Sequence, residues 1–596
     1  LFCRLSVFAG GCTLATAEAV CNHPPELQIG AVEGIETLID NNLLRQEEEP
    51  TGEPRISMLQ IIREFGLEQL SKSRADKKAY RALAEHLADF AETAEANRSG
   101  PDYTMWANRI ETEYVNFRSA LDWSLENAPD LALRLIAALG EFWFRQGHWT
   151  ELRRACEKVV TAEPPDAEES ATMRSRCLRF AGQCARVCGD PVRAKKFFEQ
   201  SLRLSEKHAG PPQVIEALNE LGGILLHTEG RNTEARALFD RALKLANDLD
   251  EENYLADSIF QLGNLALAEC DFEEAHEKFE QAAAISRKRG YRAGVAQCMS
   301  YLATVGISIG EYDRALSCLR SALQVHEMAG EDHNATWDRY KRGQVAAARG
   351  EYTQAELEFN DCRKSFHQMN ATVGEAWCFH ELGTIALDKE EISEANIHFE
   401  QSLAIFRTLG SANSWAILQL GTTAIYEGRF RSARKLLEKA LKGFRESGRK
   451  NGVAQCLWEQ AHLARLQADY QVAHTLLRES LELVRQMGSA RWTATVLQQL
   501  GYLAASQQMY DCAARLLGKV EALGEDMRSP VAPRNRAEYD ATIQQSREAL
   551  GGEMFVTLWN QGRHASLDQL DMNALNVLSD RFASASDENA AEPPAV

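Results

Sequence analysis

The stretch GVAQCMSYLATVGISIGEYDRAL, residues 294–316, opens on a pentapeptide that returns as GVAQC at 452–456. The residues after the second copy, LWEQAHLARLQADYQVAH (457–474), differ in letters and agree in pattern. One phrase written twice, 158 residues apart, marks an internal repeat. The small residue next to a large one sets the beat. It recurs at Gly140, Ala181, Gly222, Gly263, Ala303, Gly343, Gly383, Gly421, Ala461 and Gly501, at spacings of 38 to 41. An alanine stands twelve residues on at Ala275, Ala315, Ala355, Ala395, Ala433, Ala473 and Ala513. Four residues beyond each comes Phe279, Leu319, Phe359, Phe399, Leu437, Leu477 or Leu517. The two GVAQC copies therefore sit at one phase, four units apart.

Each unit reads as two helices, because its apolar residues recur at helical spacing and its small residues let backbones cross closely. Helix stops are expected between units at Gly210, Gly290, Gly330, Asn370, Gly410, Gly448, Gly488 and Gly524, since Gly or Asn suits a left-handed cap. Within units, the first helix ends at turns such as GEY (310–312 and 350–352) and EGRF (427–430). This pattern resembles the tetratricopeptide repeat (TPR), whose usual period is ~34 residues. Here the period is about 40, which implies longer helices. The resemblance covers residues 129–525. The first two units match least, with Leu152 and Cys156 in place of the Ala and the Phe or Leu. The expected fold is all-α, a TPR-like α-solenoid of about ten helix pairs with a long concave surface.

Bulk composition narrows the function. The 596 residues are 45% hydrophobic, enough for a substantial core, and the formal net charge of −20 argues against a general nucleic-acid-binding surface. No apolar run approaches the ~20 residues of a membrane helix, and a cytoplasmic protein is expected. The 14 cysteines are scattered. Cys177, Cys184 and Cys188 form the tightest group, without zinc-ligand spacing, and read as reduced core residues. The chain starts at Leu1 without a signal sequence, so it is expected to begin inside a longer protein.

Residues 1–75 have another texture. LFCRLSVFAGG, LATAEAV and VEGIETLIDNNLL read as three helices, LRQEEEPTGEPRISML as a hairpin turning at Pro50, Gly52 and Pro54, and QIIREFGLEQL as a further helix. Three helices and a two-stranded wing make a winged helix. Its charge opposes DNA reading: six Lys and Arg stand against eleven Asp and Glu, with Glu33, Glu36 and Asp40 on the helix that would enter the groove. The phrases LFCRLSVFAGGCTLATAEAVC, IETLIDNNLLRQ, RISMLQIIREFGLEQL and IETEYVNFRSALDWSLENA are similar to the region after the nucleotide-binding module of bacterial STAND regulators (signal-transducing ATPases with numerous domains, of the NB-ARC and LuxR-like kind). That resemblance implies a winged helix (1–75) packed on an upstream ATPase, a helical linker (76–128) and the TPR solenoid (129–525). It places ADP or ATP only in that upstream domain, with no cofactor in this chain. Capping helices (526–575), expected to cover the exposed face of the last repeat, and a disordered tail (576–596) complete the reading.

Catalytic motifs are missing. GFRESGRKN (443–451) has the outer glycines of a phosphate loop but Arg449 where Lys is needed, and it lies between repeat helices. No HExxH, GxSxG or EF-hand loop occurs, and no enzyme is expected. One constellation rises above the pattern. Six residues before the small residue stand Trp337, Trp377 and Trp415 in successive units. With Tyr340, His380, Trp458 and His462 they fall on the stripe at −6, −3, +1 and +4 that faces the groove in the TPR geometry. Such a ladder can stack on a peptide or small molecule, or it can fill space between long helices. The core stripe is expected at −4 and −1: Ile259, Leu262, Phe379, Leu382, Ile417 and Leu420. In one unit these positions are Arg339 and Arg342, with Lys341 between, so either the side chains reach outward or the unit holds an anion. The function expected is regulatory. The solenoid senses a protein, peptide or small-molecule inducer, without direct contact to nucleic acid or membrane, and the winged helix relays occupancy. A freestanding TPR adaptor is the alternative.

Overall fold

The computed structural model describes the chain except residues 22–29, 49–53, 99, 162–167, 410–412 and 568–596. Its repeating contact is a ring or leucine of the second helix seated on the small residue of the first. A Cβ on Gly383 would lie 2.7 Å from the Phe399 ring, and one on Gly421 2.9 Å from Leu437. Phe399 and Leu437 are fully buried. Among the described residues ten helix pairs run from Pro129 to Met527, and in the first of them Gly140 is met by Phe180 of the next pair. Most helices from Glu252 onward have 17 or 18 residues, the extra length the 40-residue period implies. Among the described residues no helix is long and apolar enough to cross a membrane.

Two details of phase differ from the sequence reading. In the second unit the contact belongs to Gly182, not Ala181: Gly182 meets Phe198, and Ala194 stands twelve residues on. That unit is a full match after all. In the third, Gly222 meets Phe239 seventeen residues later instead of sixteen. A π-helical turn at Leu225–Glu229 absorbs the additional residue.

Caps obey the expected chemistry with exceptions. Gly290, Gly330, Asn370, Gly448 and Gly488 all have positive φ. Gly210 is extended, with φ −81. Gly524 lies inside the helix Tyr510–Met527, and Arg528 takes the left-handed position instead. Gly410 lies outside the described residues. Inside units, Cys270, Glu390, Ala468 and Gln508 occupy left-handed positions that Gly310, Gly350 and Gly428 fill elsewhere.

The N-terminal module consists of α1 (Phe2–Leu5), β1 (Cys12–Thr13), α2 (Leu14–Cys21), α3 (Ala31–Asp40), β2 (Arg45–Glu48), β3 (Pro54–Ser57) and α4 (Gln60–Lys72). The strands form one antiparallel sheet in the order β1-β3-β2. The short strand β1 was not legible in the sequence, and the turn residues Pro50 and Gly52 lie outside the described residues. The linker supplies α5 (Asp76–Ala96), α6 (Tyr103–Thr112) and α7 (Tyr114–Asn127). Arg55 of β3 locks module to linker. Its Nε donates to Gly10 O at 2.8 Å, and its Nη1 lies 2.6 Å from Glu113 Oε1. Gly11, with φ 72, leaves no room for a Cβ, which would meet Ile56 O at 2.6 Å.

The solenoid coils until successive turns touch. Ser489 Oγ donates to Ser308 O at 2.6 Å, and Arg449 Nη2 to His227 O at 3.3 Å. Gly230 adopts φ 65 and also lies against Ser447, whose Cα is 2.6 Å from where its Cβ would be. These partners are 181 to 222 residues apart, so one turn takes about five units. The linker joins the coil at its middle. Tyr103 OH donates to Glu331 Oε1 at 2.8 Å, Asn334 Nδ2 to Glu331 Oε2 at 2.8 Å, and Arg145 Nη1 lies 3.3 Å away. Glu331 is wholly buried.

The C-terminal helices divide their roles. The helix Gly552–His564 covers the last pair: Trp559 backbone packs on Gly518, and Arg563 pairs with Glu525 at 2.6 Å. The helix Pro533–Leu550 also packs on the last pair, where buried Tyr539 donates to Leu517 O at 3.5 Å, and its start reaches further. The segment 528–532 and the start of this helix turn into the concave side and cross it. The tail from residue 568 lies outside the described residues.

Candidate functional site

All seven residues singled out from the sequence, Trp337, Tyr340, Trp377, His380, Trp415, Trp458 and His462, line one cavity of about 980 Å³ on the concave side. Each tryptophan at −6 rests against the phenylalanine near the end of its own unit. Trp337 lies 4.9 Å from Phe366, Trp377 5.6 Å from Phe406 and Trp415 4.7 Å from Phe444, ring centre to ring centre. Packing and lining are thus two sides of the same ring. Trp377 also stands edge-on to His380 at 5.4 Å, and Trp337 to Tyr340 at 5.1 Å. Trp337 Nε1 donates to His333 Nε2 at 3.1 Å.

The groove stripe needs correction at one position and interruption at another. At +4 Ala347 lines the cavity but Leu387 is fully buried, and +5 lines it through Ala348, Asp388 and Tyr426. In the Gly421 unit the first helix, Ser414–Tyr426, has only 13 residues, Leu418 at −3 is buried, and Gln419 takes its place in the cavity. A polar stripe at −2 was missed: Glu381, Gln419, Glu459 and Gln499. The signal was present, since acid or amide stands at that position in four successive units.

The core stripe is uneven. Leu262, Leu382 and Ile417 are buried, whereas Ile259 and Phe379 at −4 and Leu420 at −1 are partly exposed. Arg339 at −4 and Arg342 at −1 take the same partly exposed course. They reach outward and pair with Glu327 and Glu358, Arg342 donating twice at 2.9 Å. No anion is needed to explain them. Lys341 turns inward. Its Nζ donates to Ser300 O at 3.0 Å and Ser300 Oγ at 2.7 Å and lies 4.8 Å from the Tyr301 ring. Burial lowers its pKa to about 8, against the opposing charge of Asp338.

Burial inside the cavity disfavours charge on the imidazole of His380 and on the Asp388 carboxylate, whose pKa it raises against the pull of Arg534. Burial lowers the pKa of His380, so the imidazole is neutral near pH 7, and among the described residues its Nδ1 has no hydrogen-bond partner. Gln499 Oε1 is likewise buried and unpartnered. Tyr340 OH donates to Glu381 Oε1 at 2.8 Å, and Gln344 Nε2 to the same oxygen at 2.7 Å. Glu459, itself buried, accepts from Trp458 Nε1 at 3.2 Å. All 14 cysteines are free thiols, twelve of them buried.

Known proteins share this repeat architecture. The description "MalT-like TPR region" matches residues 135–374, and "Tetratricopeptide repeat" matches residues 412–486. Proteins of Mycobacterium bovis and Mycobacterium tuberculosis that carry the name HTH-type transcriptional regulator are 25% identical over 360 residues. The match covers 58% of this chain and 39% of theirs, so the chain spans about two fifths of the length of these relatives. Among solved structures, the Cut9–Hcn1 hetero-tetramer is similar with a TM-score of 0.46 and 14% identity, over 83% of this chain and 94% of that one. A STAND protein with a TPR sensor from Pyrococcus horikoshii is similar with a TM-score of 0.41 and 12% identity, over 76% of this chain and 64% of that one. The chain is an all-α TPR solenoid, of which residues 135–374 match the MalT-like TPR region.

Proposed function

We propose that this chain is the non-catalytic sensor and relay region of a STAND-type signal-transducing regulator. In this reading the concave cavity takes the inducer. The N-terminal module is a winged helix that contacts an ATPase domain encoded upstream and carries ADP or ATP chemistry only through that domain. The observation that supports the reading is convergence: aromatic and imidazole groups from four units, 337 through 462, face one cavity. Tryptophan and tyrosine at such a site supply large contact area at small entropic cost. A switch requires that the inducer bind one packing of module and solenoid better than another.

The test compares wild type with Trp377→Ala. Small molecules and peptides extracted from the source cells are passed over each immobilised protein, and retained species are read by mass spectrometry. A species retained by wild type and reduced about tenfold on Trp377→Ala, with circular dichroism unchanged, supports the groove. Equal retention together with a lowered melting temperature returns the ladder to packing alone.

A further inference from the structure

The cavity is not lined by repeats alone. The segment 528–535 runs through it and bonds to unit after unit. Arg528 Nη1 lies 3.2 Å from Asp313 Oδ2, Ser529 Oγ donates to Ala348 O at 2.6 Å, and Arg534 Nε lies 3.0 Å from Asp388 Oδ1. Tyr426 OH donates to Asn535 Oδ1 at 3.2 Å, and Tyr502 OH to Asn535 O at 3.3 Å. Residues 528–532 form no helix. The chain has thus placed a proline-interrupted, basic strip, which passes into a helix at Pro533, across its own concave face.

The groups that the strip satisfies show what the groove recognises. Three carboxylates enter the cavity from the first helices of two units: Glu381, Asp388 and Glu459. Asp388 has a cationic partner, and that partner is Arg534 of the strip. Among the described residues Glu381 and Glu459 have no Arg or Lys within 4.0 Å; Glu381 is met by Tyr340 and Gln344, Glu459 by Trp458 and His462. Arg534, seated on Asp388, also acts electrostatically on Glu459, so one guanidinium of the strip serves both carboxylates. His380 Nδ1 and Gln499 Oε1, on residues 6% and 8% exposed, are two further buried atoms in the cavity without a partner among the described residues.

We infer that the occupant of the groove is a peptide that seats an arginine on Asp388 beside Glu459, as Arg534 does, and that residues 528–535 are its intramolecular competitor. This rests on the reading of the groove as the sensor site. A tethered strip competes at an effective concentration in the millimolar range, so a free peptide gains access when the tethered contact is weakened.

The experiment uses the full chain and a fluorescein-labelled synthetic peptide RSPVAPRNRAE, with a second peptide in which citrulline, the neutral isostere, replaces each arginine. Fluorescence anisotropy is expected to show the arginine peptide binding Arg534→Ala about tenfold more tightly than wild type. Asp388→Asn or Glu459→Gln, each combined with Arg534→Ala, lowers that affinity about tenfold, as does citrulline. Hydrogen exchange at 528–535 reports whether the strip has been released. Release without peptide binding, or equal binding of the two peptides, overturns the inference. So does a strip that stays protected in Ser529→Ala/Arg534→Ala, because an occupant that cannot leave is no competitor. Should Arg534→Ala unfold the chain, Arg534→Lys keeps the charge and loses the fork, and the same comparisons apply. If only this inference fails, retention still differs between wild type and Trp377→Ala; if the sensor reading fails, it does not.

Discussion

Glu331→Ala tests how the linker is held to the coil. Glu331 has no solvent exposure and satisfies three donors: Tyr103 OH at 2.8 Å, Asn334 Nδ2 at 2.8 Å and Arg145 Nη1 at 3.3 Å. Removing one partner of a buried ionic contact costs about 3–5 kcal/mol, mostly by stranding the other. Arg145 keeps Glu141 at 2.8 Å, which lowers its share, but Tyr103 OH is left buried without an acceptor, at about 1–3 kcal/mol. The expected loss is therefore about 3 kcal/mol. Urea unfolding monitored by tryptophan fluorescence measures it, since buried Trp149 stands edge-on to His333 at 4.9 Å, two residues beyond Glu331. Hydrogen exchange over Tyr103–Thr112 should accelerate as well. A double-mutant cycle with Tyr103→Phe sharpens the result, because groups in contact couple by about 0.5–3 kcal/mol and separate groups do not. A loss below about 1 kcal/mol, or strict additivity with Tyr103→Phe, would refute the reasoning.

Local geometry yields two more expected outcomes. Ala468 has φ 60, where an L side chain costs about 1 kcal/mol relative to glycine, so Ala468→Gly should raise stability by roughly that amount in urea unfolding. Lys341 is expected to make stability depend on pH. Its folded pKa of about 8 lies below the ordinary lysine value, so the unfolded chain binds more protons between the two and stability rises with pH across that window. Below pH 8 the penalty is fully present; the difference in unfolding free energy between Lys341→Met and wild type should shift in favour of wild type from pH 8 to pH 10, and a constant difference would rule the linkage out.

The period of 40 was readable because the contact that generates it, a ring on a small residue, uses few residue types at fixed spacing. The slip from Ala181 to Gly182 shows the limit. Two small residues in a row look equivalent in sequence, and only the position of Phe198 decides between them. The aromatic ladder was readable for the same reason as the repeat: one helical phase recurring in successive units. The strip at 528–535 was not. Its prolines read as a linker, and its partners lie as far as 215 residues away, brought near only by the pitch of the coil. Pitch is the sum of small rotations between units, and no single residue announces it.

That contact between turns sets a limit on how the array can change. In a solenoid whose units meet only their neighbours, a unit can be gained or lost anywhere and the rest shifts along unharmed. Here Ser308 must find Ser489, and Gly230 must pass Ser447. Inserting one 40-residue unit between them would turn every later unit by about a fifth of a revolution, and each of these meetings would face the wrong residue. The number of repeats is thereby fixed, as the number of links is fixed in a chain already closed on its clasp.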